Sequence, residues 1–198
     1  MSATGHPIAA ALIGGSAGAL EVVRQVLAAL PAQPAMPIVV LLHLPERSQD
    51  RMAELLDHGT AVAVKQAEDK EPLRAGQVYV APPAYHLLIE RTRSLALSLD
   101  AAVHYSRPSI DVLFESGSDA YRAALLAVLL SGASQDGAAG LQEVHAAGGI
   151  TIVQDPASAE VPTMPRAALS LFTPTFTWST AELVARLPQL LSSCIDAR

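Results

Sequence analysis

Short apolar runs alternate with amphipathic segments along most of the chain. Runs rich in branched aliphatic residues and bounded by glycine, proline or polar residues are typical of strands buried in a parallel sheet. Strands are predicted at 8–13, 38–42, 60–66, 78–81, 124–130 and 150–153. Helical spacing of leucine and valine predicts helices at 20–30, 49–58 after a Ser48 cap, 110–122 after a Ser109 cap and with Asp111 in the first turn, 136–145, 164–171 and 181–191, the last disturbed at Pro188.

This alternation predicts an α/β fold, with a doubly wound, mostly parallel sheet and helices on both faces (Rossmann-like). Two further runs, 86–89 and 94–99, flank a short polar break and predict an antiparallel hairpin. The 198 residues are enough for a single domain, whose core we place at about 8–190. Functional groups of such sheets gather beyond the carboxyl ends of the strands.

Three residues of chemical interest follow predicted strands in this way. Ser16 lies in Gly14-Gly15-Ser16-Ala17-Gly18, which fits the Gly-x-Ser-x-Gly pattern of a nucleophile elbow. His43 ends the second strand, and Asp136 follows the strand that ends near residue 130. A serine, a histidine and an aspartate are the set that nucleophilic catalysis needs, although the order in α/β-hydrolases is Ser, Asp, His.

Each of these residues also has a purely structural interpretation. Ser16 could cap the helix that follows it, or its glycines could cradle a phosphate. The phosphate alternative lacks both Gly-x-Gly-x-x-Gly and a P-loop lysine. His43 could be a core histidine with satisfied hydrogen bonds, and Asp136 could cap its own helix. Their occurrence at the ends of three strands argues against coincidence.

Composition narrows the classes of protein further. The net charge of −6 argues against nucleic acid and anionic membrane partners. The longest apolar run, 123–130, is too short to span a bilayer, and no secretion signal precedes it. The single cysteine, Cys194, fits a reducing compartment, and the six histidines show no metal-ligand spacing. We therefore expect a cytoplasmic protein without a metal or other cofactor.

A series of short motifs, in order, resembles the catalytic domain of the CheB protein-glutamate methylesterases over roughly residues 8–190. The motifs are Ile13-Gly14-Gly15-Ser16-Ala17-Gly18-Ala19, His43-Leu44-Pro45, Tyr79-Val80-Ala81-Pro82-Pro83 with His86-Leu87, Arg107-Pro108-Ser109-Ile110-Asp111 with Leu113-Phe114, Ser131-Gly132-Ala133-Ser134-Gln135-Asp136-Gly137-Ala138, and Gln154-Asp155 with Met164-Pro165.

The resemblance implies hydrolysis of γ-glutamyl methyl esters on methyl-accepting chemoreceptor helices, with glutamine deamidation in some members. Ser16 would be the nucleophile, His43 the base and Asp136 the residue that orients His43. The backbone N–H groups near Ala17 and Ala133 are candidates for the oxyanion hole. Arg107 and Arg166 are candidates for contact with acidic groups of the substrate, and a solvated surface role is the alternative for each. A related carboxylesterase or amidase and a non-catalytic interaction module are the alternatives.

The sequence departs from the family pattern at several positions. Ala133 replaces a methionine, and Ala19 and Thr163 each replace a glycine. The serine motif begins within the first fifteen residues or so, which leaves no room for the receiver domain that usually precedes it. We therefore expect a stand-alone form that does not respond to phosphodonors. A receptor methyltransferase or a regulatory protein acting in trans is a candidate further partner.

Overall fold

The computed structural model describes residues 7–43 and 51–192, and in that part of the chain it shows nine strands and six helices. The strands are β1 (Ala10–Gly15), β2 (Ile38–Leu42), β3 (Ala63–Gln66), β4 (Gln77–Val80), β5 (His86–Ile89), β6 (Leu95–Ser98), β7 (Leu125–Leu129), β8 (Ile150–Gln154) and β9 (Phe176–Trp178). The helices are α1 (Leu20–Ala28), α2 (Met52–Asp57), α3 (Ile110–Tyr121), α4 (Ala138–Ala146), α5 (Thr163–Leu171) and α6 (Thr180–Ser192).

The described strands form one seven-stranded parallel sheet in the order β3-β4-β2-β1-β7-β8-β9. β1 is central, with Gly15 opposite Leu42 of β2 and Gly14 opposite Leu129 of β7. β5 and β6 pair antiparallel, which confirms the predicted hairpin. The doubly wound, mostly parallel fold is confirmed as well. Its carboxyl edge brings the segments after β1, β2 and β7 together.

Both faces of the sheet are covered, which explains why the strands read as continuous apolar runs. Alternate residues of β1 enter two separate cores: Ile13 packs with residues of α1, α2 and α6, and Leu12 packs with α3, α4, α5 and the hairpin. Because side chains alternate along a strand, each face of a central strand must be apolar to be buried. The three-layer arrangement follows from this pattern.

Besides shifts of one to three residues at the ends of other elements, the structure differs from the sequence-based prediction in three respects. β1 extends through Gly14 and Gly15, and a Cβ at Gly14 would collide with Ile110 of α3, so glycine permits close helix–strand packing. β9 was not predicted, because three residues are too few for a periodic signal. α6 continues through Pro188 to Ser192. Pro188 itself is buried with Leu187 and Leu191, and this packing outweighs the missing hydrogen bond.

Several sequence features lie outside the described residues. They are the Ser48 cap, the Leu44-Pro45 part of the histidine motif, and Cys194. No helix within 7–43 and 51–192 combines the length and apolar character that crossing a membrane requires.

Candidate active site

Ser16 follows β1 directly at the carboxyl edge of the sheet. A short turn, in which Gly18 has a φ of +79°, connects it to α1. The N-cap of α1 is Ala19, and no side chain caps that helix, so the interpretation of Ser16 as a helix cap is wrong. Ser16 is half-buried, and its hydroxyl has no hydrogen-bond partner among the described residues.

The serine turn is fixed against the loop that follows β7. The N–H of Ser16 donates to the carbonyl of Ser131 at 2.8 Å. The buried Ser131 hydroxyl donates to the carbonyl of Ala17 at 2.7 Å and accepts from the N–H of Val161 at 2.8 Å. A Cβ at Gly132 would lie 3.0 Å from Cβ of Ser16, so glycine lets the loop after β7 approach the serine closely. The Ser131 contacts were not predicted, because they join segments distant in sequence.

His43 stands next to Ser16 because their strands are paired in register. The two residues come directly after Leu42 and Gly15, which face each other, and the N–H of His43 donates to the carbonyl of Gly15 at 3.0 Å. Nε2 of His43 lies 3.0 Å from Oδ2 of Asp136. The two atoms are close without being aligned as a good hydrogen bond. Such looseness is common in sites without substrate.

Asp136 is fully buried, and its carboxylate collects donors from the start of α3. Oδ1 accepts from the Ser109 hydroxyl at 2.7 Å and from the N–H of Asp111 at 3.1 Å. Oδ2 accepts from the N–H of Ile110 at 2.7 Å. Asp136 therefore satisfies orphan N–H groups at the N-terminus of α3, not of α4, whose N-cap is Gly137 without a side-chain cap. The alternative that it caps its own helix is wrong.

Two opposing effects set the charge of Asp136. Burial raises the pKa of its carboxyl, but the close approach of the His43 ring and the hydrogen bonds from Ile110, Ser109 and Asp111 outweigh burial and hold the pKa below the ordinary value. The carboxylate is therefore ionised near neutral pH.

Ser109 is itself held by a buried histidine. It caps α3 as predicted, accepting from the N–H of Val112 at 3.5 Å, but its bond to Asp136 was not predicted. Nδ1 of His86 accepts from the N–H of Ser109 at 3.2 Å. The ring proton must then be on Nε2, which lies 3.0 Å from the carbonyl of Ala101. This neutral tautomer fixes the segment that supplies donors to Asp136.

Asp111 is a second buried carboxyl beside the site, and the sequence placed it only in the first turn of a helix. Oδ1 accepts from the N–H of Gly140 at 2.7 Å, and Oδ2 lies 3.4 Å from Nε2 of His104. Burial is the main reason that the pKa of Asp111 rises to about 6, and the charge of Asp136 adds to it. The bond from Gly140 and the proximity of His104 act in the opposite direction.

Asp111→Asn should raise the free energy of unfolding by about 1–3 kcal/mol at about pH 7.5 and change it little at about pH 4. The folded-state pKa lies above the ordinary value of 3.8, so the folded protein holds a proton that the unfolded chain releases within this window. The contribution of the Asp111 carboxyl to the stability of the wild type therefore falls as the pH rises from about 4 to about 7.5. Asparagine keeps an acceptor for Gly140 without a charge. Urea unfolding across this range measures the effect, and parallel pH profiles for the two proteins would contradict it.

The predicted oxyanion donors lie on the two loops that meet at Ser16. Ala17 follows Ser16, and Ala133 follows Gly132, which lies close to Ser16. Both alanines are exposed. Within the described residues, neither backbone N–H has an acceptor. Both donors are therefore available to a ligand at the serine.

The two predicted recognition arginines differ in their surroundings. Arg107 donates through Nη1 to the carbonyls of Leu99 at 3.0 Å and Asp100 at 3.1 Å. Arg166 is exposed on α5, and its guanidinium has no partner in the described chain. Their contact with substrate stays a prediction.

Comparison with known proteins gives a consistent result along nearly the whole chain. Residues 11–187 match the family model described as CheB methylesterase. A protein of Leptospira interrogans (strain Fiocruz L1-130) is 43% identical over 183 residues, which are 91% of this chain and 95% of that protein. The Symbiobacterium thermophilum protein-glutamate methylesterase/protein-glutamine glutaminase is 38% identical over 160 residues, 81% of this chain but 44% of that protein.

A solved structure shows the same fold. The crystal structure of the Thermotoga maritima CheB methylesterase catalytic domain superposes with a TM-score of 0.86 at 27% sequence identity. The match covers 92% of this chain and 98% of that one.

Proposed function

The chain belongs to the CheB methylesterase family, and we propose that it is a serine hydrolase that cleaves γ-glutamyl methyl esters on chemoreceptor helices. The observation that carries the proposal is the 3.0 Å contact between Nε2 of His43 and Oδ2 of the buried Asp136, beside Ser16. A half-buried serine hydroxyl without a partner among the described residues, next to a histidine that contacts an ionised carboxylate, is the arrangement that activates a serine.

In the proposed reaction, the Ser16 hydroxyl oxygen attacks the ester carbonyl, and His43 takes its proton. Because Nε2 faces Asp136, Nδ1 is the ring nitrogen that serves Ser16, the reverse of the arrangement in chymotrypsin-like enzymes. The tetrahedral intermediate collapses as His43 returns the proton to the leaving oxygen, which departs as methanol. Water then attacks the acyl-serine, and His43 accepts its proton. As this second intermediate collapses, His43 returns the proton to the Ser16 oxygen, which restores the serine hydroxyl and releases the glutamyl carboxylic acid.

Asp136 supports this cycle electrostatically. Its low pKa keeps it ionised, so it holds the proton on Nε2 of His43 and stabilises the ring when Nδ1 is also protonated. The N–H groups of Ala17 and Ala133 are the proposed donors to the oxyanion, where charge develops in the transition state. No cofactor takes part in these steps.

The same residues would release ammonia from a glutamine side chain, which accords with the double name of the Symbiobacterium thermophilum relative. We extend the proposal to the whole chain as one catalytic domain with its core at about 8–190. We place its work in the cytoplasm, where methylated receptor helices are its partners. A receptor methyltransferase or a regulatory protein acting in trans is a further candidate partner.

Two measurements on the purified protein test the proposal. A fluorophosphonate should add one covalent group to the wild type, detected by intact mass, and the Ser16→Ala variant should stay unlabelled. Methanol should be released from a methylated receptor fragment. Labelling and hydrolysis of a small ester without methanol from the receptor would favour a carboxylesterase for another substrate. No label and no turnover would leave an interaction module.

A further inference from the structure

The turn at 103–106 has an unusual backbone conformation at its two central residues. The N–H of Val103 donates to the carbonyl of Ser106 at 3.1 Å, and the N–H of Ser106 donates back at 2.8 Å. The central residues, His104 and Tyr105, have φ values of +48° and +61°. This is the conformation of a type I′ turn, which favours Asn-Gly because side chains are strained there. Here both positions carry large rings.

The turn is attached to the segments that build the candidate active site. Nε2 of His104 lies 3.4 Å from Oδ2 of Asp111, whose own N–H donates to Asp136. Nδ1 of the same ring lies 3.5 Å from Nε2 of Gln135, the residue before Asp136. His104 therefore holds the turn at the carboxyl edge of the sheet.

The Tyr105 side chain has no hydrogen bond or ring contact with any residue that the structure describes. It is fully exposed. Leu99 (65% exposed), directly after β6, and Tyr85 (39% exposed), directly before β5, are other large apolar side chains that face solvent. A single exposed apolar residue is ordinary. An exposed tyrosine at positive φ, next to a histidine that contacts Asp111, is different. The stability of the turn at 103–106 alone would favour glycine or asparagine at that position.

We propose that Tyr105 is a specificity-determining residue whose ring packs against the protein backbone and side chains flanking the methylated glutamate. The inference rests on the proposed function and names Tyr105 as a residue that recognises the receptor substrate. Tyr105 follows His104 in the chain, and contacts run from His104 through Asp111 and Asp136 to His43. The exposed Tyr105 ring takes no part in these contacts. A small ester bound at Ser16 does not need it, whereas a folded protein substrate extends across it.

The test compares a methylated receptor fragment with a small methyl ester, N-acetyl-glutamate γ-methyl ester. For Tyr105→Gly, the ratio of kcat/KM for the receptor to that for the small ester should fall about tenfold. The melting temperature should stay level or rise, because glycine adopts positive φ without strain. Tyr105→Phe, which retains the ring, should keep most of the wild-type ratio of the two kcat/KM values. Leu171→Ala is the control, since Leu171 is also exposed (47%) but lies at the end of α5 remote from Met164, whose N–H donates to the carbonyl of Gly132.

A second measurement separates this inference from the proposed function. In the Ser16→Ala background, Tyr105→Gly should weaken binding of the receptor fragment about tenfold, without any turnover. Unchanged binding, or a ratio of kcat/KM that does not fall, overturns the role of Tyr105. If the wild type cleaves neither ester, the proposed function fails, and the binding result still decides whether Tyr105 contacts the receptor.

Discussion

Ser16→Ala is expected to lower kcat for ester hydrolysis by a factor of about 10⁴ or more, because the remaining site has no nucleophile for the proposed acyl transfer. The fold should survive the change. The Ser16 hydroxyl is half-buried and has no partner among the described residues, and its backbone contact with Ser131 does not depend on the side chain. The free energy of unfolding should therefore move by no more than about 0.5 kcal/mol.

Methanol release from a methylated receptor fragment measures the first effect, and urea unfolding measures the second. Ser170→Ala is a matched control, since this exposed serine of α5 has the carbonyl of Ala167, in its own helix, as its one side-chain partner within 7–43 and 51–192. The control should keep wild-type kcat. A Ser16→Ala protein that retains more than about a tenth of the wild-type kcat would place the nucleophile elsewhere.

Asp136→Asn is expected to lower kcat by a factor of about 10³–10⁴ and to destabilise the fold by about 1–3 kcal/mol. Both carboxylate oxygens accept from α3, so the new amide NH₂ must face an N–H or O–H donor in either orientation. If the NH₂ faces His43, it also favours the imidazole tautomer with its proton on Nδ1. That tautomer has no base to offer Ser16.

The stability loss should shrink in acid. The pKa of Asp136 is lowered in the folded state, so its stabilising contribution is present above the ordinary value of 3.8 and is lost as pH falls through the folded-state value. Unfolding measured at about pH 7 and at about pH 3 should therefore give a larger difference between variant and wild type at the higher pH. Asp119→Asn, an exposed change on α3, is the control. An Asp136→Asn protein with near-normal kcat would exclude this carboxylate from the reaction.

The strand ends could be predicted because their signals are local. Apolar runs stopped by glycine, proline or polar residues define the parallel strands, and parallel strands share one carboxyl edge. The proximity of Ser16 and His43 follows from this geometry, since their strands are neighbours in register. Asp136 follows β7, which lies on the other side of β1, and the sequence alone could not specify that order of strands.

The supporting residues could not be predicted, because their partners are distant in sequence. Ser109 has the signature of a helix cap and does cap α3, yet it also donates to Asp136 in a different loop. Asp111 resembles an ordinary acid in a first helical turn, and only the packing of α4 against α3 buries it. A cap signature reports the local backbone and carries no information about a second partner.

The position of β1 has a consequence for synthesis of the protein. One edge of β1 pairs with β2, which follows soon after, but the other edge pairs with β7, where Ala10 meets Leu125. At 5–20 residues per second, a ribosome needs on the order of ten seconds to make the intervening chain. During that time a fully apolar strand has one edge without a partner, and such an edge invites pairing with other chains. The nascent protein is therefore most prone to aggregation in the interval before β7 is made.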